Sequence, residues 1–348
     1  MDTAPRSASA KALEETVCVA IPSRQISERL EEADPVIKLL VNTLLHRIRN
    51  NITQVNSSPQ IRIPSKLCQA LSKRALDKIR MESELRGALN NQQLRPHYQP
   101  LVNIQTREIL GFEALIRWFS PTRGEVSPGE FTSLAEETSL IIPIGQQTIQ
   151  QACRDLGQFQ TRYSRGNLSM SINVAPRQMA EAHFLRDLQT ITDRYGLQAS
   201  QIKLEVTERV FMGNPIALEM LKSCRQAGFQ IFLDDFGTGF SSLNYLTRFE
   251  VDGFKVDRAF VQELLTNRRT QILLESMLAM AHGLKIQTVV EGIETEQQLT
   301  VLQASGCDMG QGYLFGRPLP FSATQQLLTS SLIAIGSLED ETSVEHAT

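Results

Sequence analysis

From His97 onward, short apolar runs alternate with longer segments whose apolar residues recur at three- and four-residue spacing. The runs predict strands at 97–103, 109–118, 168–174, 202–206, 229–234, 252–256 and 286–290, with a last short one at 311–315. The helical spacing predicts helices at 131–138, 144–160, 177–195, 213–227, 258–266, 269–282 and 295–304. About eight strands, mostly separated by helices, match a (β/α)8 barrel better than a doubly wound sheet. Only a turn at Thr106-Arg107 separates the first two strands, so that pair is expected to run antiparallel. The fold class expected is therefore α/β: a modified (β/α)8 TIM-type barrel with one antiparallel strand, plus a small N-terminal helical extension.

The chain before the barrel has a different pattern. Residues 1–14 are small and polar; Glu15 to Ile21 is a strand-like run ending at Pro22-Ser23, and Ser23 is placed to cap a helix from Gln25. Pro35 interrupts that helix or starts another, Val36 to Ile48, with Ile37, Leu40, Val41, Leu44 and Leu45 on one face. Residues 51–64 are rich in Asn, Ser and Pro and read as a linker. Leu67, Leu71, Ala75, Ile79 and Leu85 then outline an amphipathic connector helix. The expected organisation is an extension and linker at 1–64, a connector helix at 65–90, the barrel at 91–325 and a tail at 326–348.

Composition narrows the partners. With 35 basic against 38 acidic residues, a net charge of −3 gives no general attraction to duplex nucleic acid or to a membrane surface. No apolar run approaches the roughly 20 residues of a membrane span, and the first residues lack the layout of a signal peptide. Five cysteines, odd in number and without Cys-x-x-Cys spacing, fit reduced thiols, with Cys153 and Cys224 in helical patterns expected in the core. These features point to a cytoplasmic protein.

The candidate chemistry lies where strands end. The run Ile231 to Leu233 closes on Asp234-Asp235, followed by the turn-forming Gly237 and Gly239. Taken alone, two adjacent aspartates read more readily as a solvated turn than as a metal site. Glu113, Asn173, Glu205, Lys255, Glu291 and Gln311, however, stand at the ends of other strands, and in a barrel those ends converge on one face. Five carboxylates (Glu113, Glu205, Asp234, Asp235, Glu291) against Lys255 and Arg117 leave a surplus of negative charge that a desolvated pocket does not tolerate. Two divalent cations would neutralise it, and oxygen ligands without His or Cys select Mg2+ or Mn2+. Such an ion pair suits water attack on a phosphate ester.

These residues also form an ordered set of motifs. Glu113-Ala114-Leu115 with Arg117, then Asp-Asp-Phe-Gly-Thr-Gly, Lys255-Val-Asp and Glu291-Gly-Ile-Glu294, resemble the EAL-domain phosphodiesterases that cleave bacterial cyclic di-GMP. The likeness runs over about residues 82–320 and includes Tyr98-Gln99-Pro100, Ser127-Pro128-Gly129-Glu130-Phe131 and Gln311 to Pro318. The resemblance implies hydrolysis of cyclic di-GMP to linear 5′-pGpG. It assigns one metal to Glu113, Asn173, Glu205 and Asp234, and a second to Asp234 and Asp235, with Asp234 bridging. Lys255 and Glu291 would hold or deprotonate the attacking water, and which of them is the base stays open. Arg117 would clasp a phosphate, while Gln99, Leu115 and Gln311 would line the substrate pocket. Glu208 and Glu294 would anchor the loop Phe236 to Ser242, which in the family links activity to a homodimer.

Asn103 and Val174-Ala175-Pro176 depart from the family's usual residues without touching the metal set. Some relatives have lost ligands, so a catalytically silent cyclic di-GMP receptor or scaffold, signalling through the N-terminal helices, is the alternative. Residues 15–50 resemble the last part of a cyclic-nucleotide-binding-like sensor domain without the β-roll that would hold a ligand. No nucleotide site is expected there, and residues 1–88 are instead a candidate contact for an upstream sensor.

Overall fold

In the computed structural model, the described residues are 65–163, 167–208, 210–211, 215–237, 246 and 249–330, together with positions 37 and 41. The expected strand at 15–21, the linker at 51–64 and the tail beyond Ser330 lie outside them. Of the helix expected from Val36 to Ile48, only Ile37 and Val41 are described, both as helical. The chain divides into two compact units, Met1–Gly87 and Ala88–Thr348. Helix α1 (Ser65–Asn90) begins in the first, where Glu82 and Arg86 form an ion pair at 3.2 Å, one turn apart.

The second unit is a closed barrel. Its strands are β1 (Leu94–Asn103), β2 (Ile109–Ser120), β4 (Ser169–Asn173), β5 (Ile202–Thr207), β6 (Gln230–Phe236), β7 (Gly253–Val256), β8 (Gln287–Val290) and β9 (Met309–Gly310), and β3 (Gly124–Val126) forms a hairpin on β2. The sheet order β1-β9-β8-β7-β6-β5-β4-β2-β3 closes through β1–β2 pairing. Strand β1 is antiparallel to both β2 and β9, whereas β2, β4 and the strands through β9 pair in parallel. That one reversed strand follows from the turn after Asn103, which is too short for a helical crossover. The helices are α2 (Pro128–Glu137), α3 (Ile141–Tyr163), α4 (Pro176–Met179), α5 (Phe184–Arg194), α6 (Pro215–Gln226), α7 (Arg258–Glu263), α8 (Arg268–Leu284) and α9 (Glu296–Ala304).

Local chemistry sets several boundaries. Thr295 caps α9 by accepting from the Gln298 N–H, and Gln298 reciprocates to the backbone of Thr295. Asn267 caps α8, which ends on Lys285 in the left-handed conformation. Cys153 and Cys224 are fully buried, and Trp118 packs edge-on against Phe131.

Two expectations are corrected. The last strand is Met309–Gly310, and 313–315 is a turn: Gly312 lies so close to the Ile293 backbone that a Cβ would sit 2.1 Å from its carbonyl oxygen. The expected helix at 177–195 is broken into α4 and α5, because the buried Gln178 side chain docks against Gly145 of α3 and accepts from the Ala175 N–H.

Strand pairing determines what fills the barrel. Residues in register share a face, which places Gln99, Glu113, Ser171 and Lys203 at one level and Asn173, Glu205, Phe232 and Gly253 at another. Leu101, Phe232, Val289 and Met309 pack into a separate apolar cluster, all four buried. Gly253 admits the Phe232 ring, since a Cβ there would stand 2.4 Å from it. This cluster is the floor on which the polar strand ends are built.

Candidate active site

Four carboxylates converge on one ammonium, three of them at or next to the carboxyl ends of strands, while Glu113, expected at a strand end, lies fifth of the twelve residues of β2. Lys255 Nζ is 2.6 Å from Glu291, 2.9 Å from Glu205, 3.1 Å from Glu113 and 3.5 Å from Asp234. The lysine comes from β7, and its acids come from β8, β5, β2 and β6, so closure of the barrel is what assembles the group. Asn173 on β4 donates to Glu113 Oε1 at 2.7 Å, and Gln311, just past β9, donates to Glu113 Oε2 and to Gln99 Oε1, both at 2.8 Å. Gln99 Nε2 in turn donates to the Gly316 carbonyl at 3.1 Å. One hydrogen-bonded chain thus joins β1, β9, β2 and β4 to the lysine.

Asp234 and Asp235 occupy an irregular point. On a regular strand they would face opposite sides. Here the β6–β7 register slips between Leu233 and Phe236, and Asp235 adopts the left-handed conformation at φ 54°. At this slip the second carboxylate stays within electrostatic reach of Asp234, Asp257, Lys255 and Glu113. Its pKa is raised, first by burial and then by Asp234 and Asp257, the latter being the N-cap of α7.

The acids divide by their hydrogen bonds. Burial pushes Glu113 up, but Lys255 and the Gln311 amide outweigh it and hold this carboxyl below its usual range. Glu205, equally buried and facing Glu113, is driven well above it. Both touch the same cation; the Gln311 amide and a hydrogen bond from Glu205 favour charge on Glu113, while the charges of Glu113 and Asp234 oppose it on Glu205. Burial raises Glu291 to about 7 against the pull of Lys255. Burial also opposes the charge on Lys255, yet its surrounding acids hold that charge well beyond the normal range.

The other expected residues lie nearby but outside this network. Leu115 and Arg117 follow Glu113 on the same face of β2; the Arg117 Nε is 3.8 Å from Glu125. Glu208, just past β5, is buried; Glu294 is exposed, and its backbone N–H donates to Gln298. Residues 238–242 of the loop they were expected to anchor lie outside the described residues.

The donor set fits hard divalent ions by its chemistry. Glu113, Asn173, Glu205 and Asp234 present oxygens from four adjacent strands, with Asp235 beside them. Among the described residues no three acidic, histidine or cysteine side chains already share a point at ligand distance.

Sequence reasoning missed two parts of this assembly. Lys203 is buried inside the barrel, its ammonium 3.5 Å from Met309 Sδ and 4.8 Å from the Phe232 ring centroid. Burial lowers its pKa to about 8 against the pull of Glu205. Its position two residues before Glu205 on one strand was the available signal. Asp155 on α3, which accepts from the Tyr98 hydroxyl behind β1, carried no signal.

Comparison with known proteins follows the same span. Residues 82–318 match the EAL domain family. The cyclic di-GMP phosphodiesterase NbdA of Pseudomonas aeruginosa is 37% identical over 256 residues, covering 73% of this chain and 33% of NbdA. The cyclic di-GMP phosphodiesterase PdeR of Escherichia coli is 34% identical over 257 residues, covering 74% of this chain and 38% of PdeR. The structure of the EAL enzyme Bd1971 in its cAMP- and cyclic-di-GMP-bound form superposes with a TM-score of 0.79 at 35% identity, covering 88% of this chain and 80% of Bd1971. The chain spans about a third of the length of the two curated relatives.

Proposed function

Because the chain belongs to the EAL domain family, we propose that it hydrolyses cyclic di-GMP to linear 5′-pGpG with two Mg2+ or Mn2+ ions. The observation that carries this reading is the convergence of Glu113, Glu205, Asp234 and Glu291 on Lys255, with Asn173 bonded to Glu113. NbdA and PdeR, each named a cyclic di-GMP phosphodiesterase, support the substrate.

In this reading Glu113, Asn173, Glu205 and Asp234 hold one ion, and Asp234 and Asp235 hold the other. When bound, the ions supply Lewis acidity that favours loss of a proton from water and steadies the leaving oxygen. Lys255, whose positive charge is reinforced by its neighbours, orients the water and does not accept its proton. Glu291, titrating near neutrality and 2.6 Å from Lys255, is the general base. Arg117, on the Glu113 face of β2, binds a phosphate, while Gln99, Leu115 and Gln311 shape the dinucleotide pocket. Glu208 and Glu294 anchor the following loop. A homodimer, a cytoplasmic location and an upstream sensor acting through residues 1–88 complete the reading. The alignment with Bd1971 supports a role for the N-terminal region, since it covers more of the chain than the barrel does.

The test is a time course of cyclic di-GMP conversion, resolved by chromatography, with Mg2+ and with chelator. Metal-dependent appearance of the linear dinucleotide is expected. Binding of the dinucleotide without turnover at saturating metal would overturn the catalytic reading in favour of a receptor.

A further inference from the structure

A second lysine shares the barrel interior with Lys255 and has no part in the mechanism above. Lys203 stands on β5, two residues before Glu205, so both side chains face inward, and the lysine lies one level beneath Glu205 and in register with Ser171 and Glu113. It is 4% exposed. Its contacts are soft: the Met309 thioether at 3.5 Å and the face of Phe232 at 4.8 Å. Among the described residues no carboxylate lies within ion-pair distance of it, in contrast to the four around Lys255.

The apolar packing around it gives this charge a long reach. Met309 and Phe232 belong to the apolar floor with Leu101 and Val289, which keeps polarisable solvent away from the ammonium. Glu205, two residues further along the strand, is the acid whose charge reaches it. A buried cation without a paired anion is unfavourable for stability alone, and this one shares a strand and an inward face with Glu205, a ligand in the two-ion reading.

We propose that Lys203 is a positioning residue for the metal site, a buried positive charge beneath Glu205 that weakens the attraction of the neighbouring carboxylates for divalent ions. This rests on the two-ion reading above. Two residues along a strand are separated by roughly 7 Å, and across that distance a unit charge changes the binding of a dication by roughly tenfold even at the dielectric constant of water. Lys203 thereby makes occupancy of the site respond to the free-ion concentration instead of holding ions permanently.

The experiment is calorimetric titration of Mn2+ into the chelator-stripped full chain at 25 °C and pH 7, for wild type, Lys203→Met and Lys203→Gln. Met suits the soft surroundings and Gln keeps a polar end, so the two differ in packing and share only the loss of charge. Tighter binding by roughly tenfold in both variants is expected. Equal affinity in all three proteins, or a change in one variant alone, would overturn the inference while leaving the metal reading in place. Absence of Mn2+ binding by the wild type would overturn that reading, and this inference with it.

Discussion

The Tyr98 hydroxyl donates a 2.6 Å hydrogen bond to Asp155 Oδ2, tying the reversed strand β1 to helix α3 behind it. The same residue exchanges both backbone hydrogen bonds with Leu319, and its neighbour Gln99 faces the active site. Asp155 is buried and keeps Gln151 and Arg154 as partners when the hydroxyl is removed. Tyr98→Phe is therefore expected to cost about 2 kcal/mol, the range for a bond to a buried charge. Urea unfolding should show a lower midpoint with an unchanged slope. An unchanged midpoint would mean that the contact contributes nothing.

Glu113 accepts from Asn173 and Gln311 while touching Lys255, so its removal strips the proposed metal site and the amide chain together. Glu113→Ala is expected to lower turnover of cyclic di-GMP by about a thousandfold, equivalent to roughly 4 kcal/mol of barrel-mouth stabilisation of the transition state. Circular dichroism should show the fold intact, because the substitution also relieves crowding among the acids. Wild-type turnover in this variant would remove Glu113 from the mechanism.

Asp234 and Glu291 were legible because each closes an apolar run, and runs of this kind survive tertiary context well, whereas Glu113 lies inside β2 and was legible from its Glu-Ala-Leu motif. Lys203 was overlooked: within Ile-Lys-Leu-Glu-Val a lysine reads as solvent-facing unless its two-residue spacing from Glu205 is followed to the same inward face. The hairpin strand β3 is three residues long, too short to show a period. The break between α4 and α5 has no Gly or Pro to announce it; it comes from Gln178 packing on Gly145, a contact between segments distant in sequence. The irregularity at Asp235 depends on its pairing with β7, which no local pattern contains.

Gly253 is where the apolar floor is most sensitive. A methyl group there would stand 2.4 Å from the Phe232 ring and 2.7 Å from the Gln287 carbonyl oxygen. The ring can turn only by disturbing the face it presents to Lys203, and the carbonyl belongs to the neighbouring strand. Gly253→Ala should destabilise by about 1–3 kcal/mol, as overpacking does elsewhere. A lower denaturation temperature in chelator checks this, and no change would show that the floor is loosely packed.

Glu291 gives the metal-free protein a pH dependence with a definite sign. Burial raises this group from 4.5 to about 7 in the folded chain, so between those values the native state binds a proton that the unfolded chain has released. Stability then falls as pH rises from about 4.5 to about 7, and Glu205 acts in the same direction. Glu113, shifted downward, adds stability that is lost only on acidification below the ordinary carboxylate range. With the Glu291 side chain 23% exposed, its contribution is about 1–3 kcal/mol. Denaturant melts in chelator across this window should therefore show a decline in the wild type that is shallower in Glu291→Gln, since glutamine has no proton to lose. Parallel curves for the two proteins would place the titration elsewhere and withdraw the assignment of Glu291 as the group poised near neutrality.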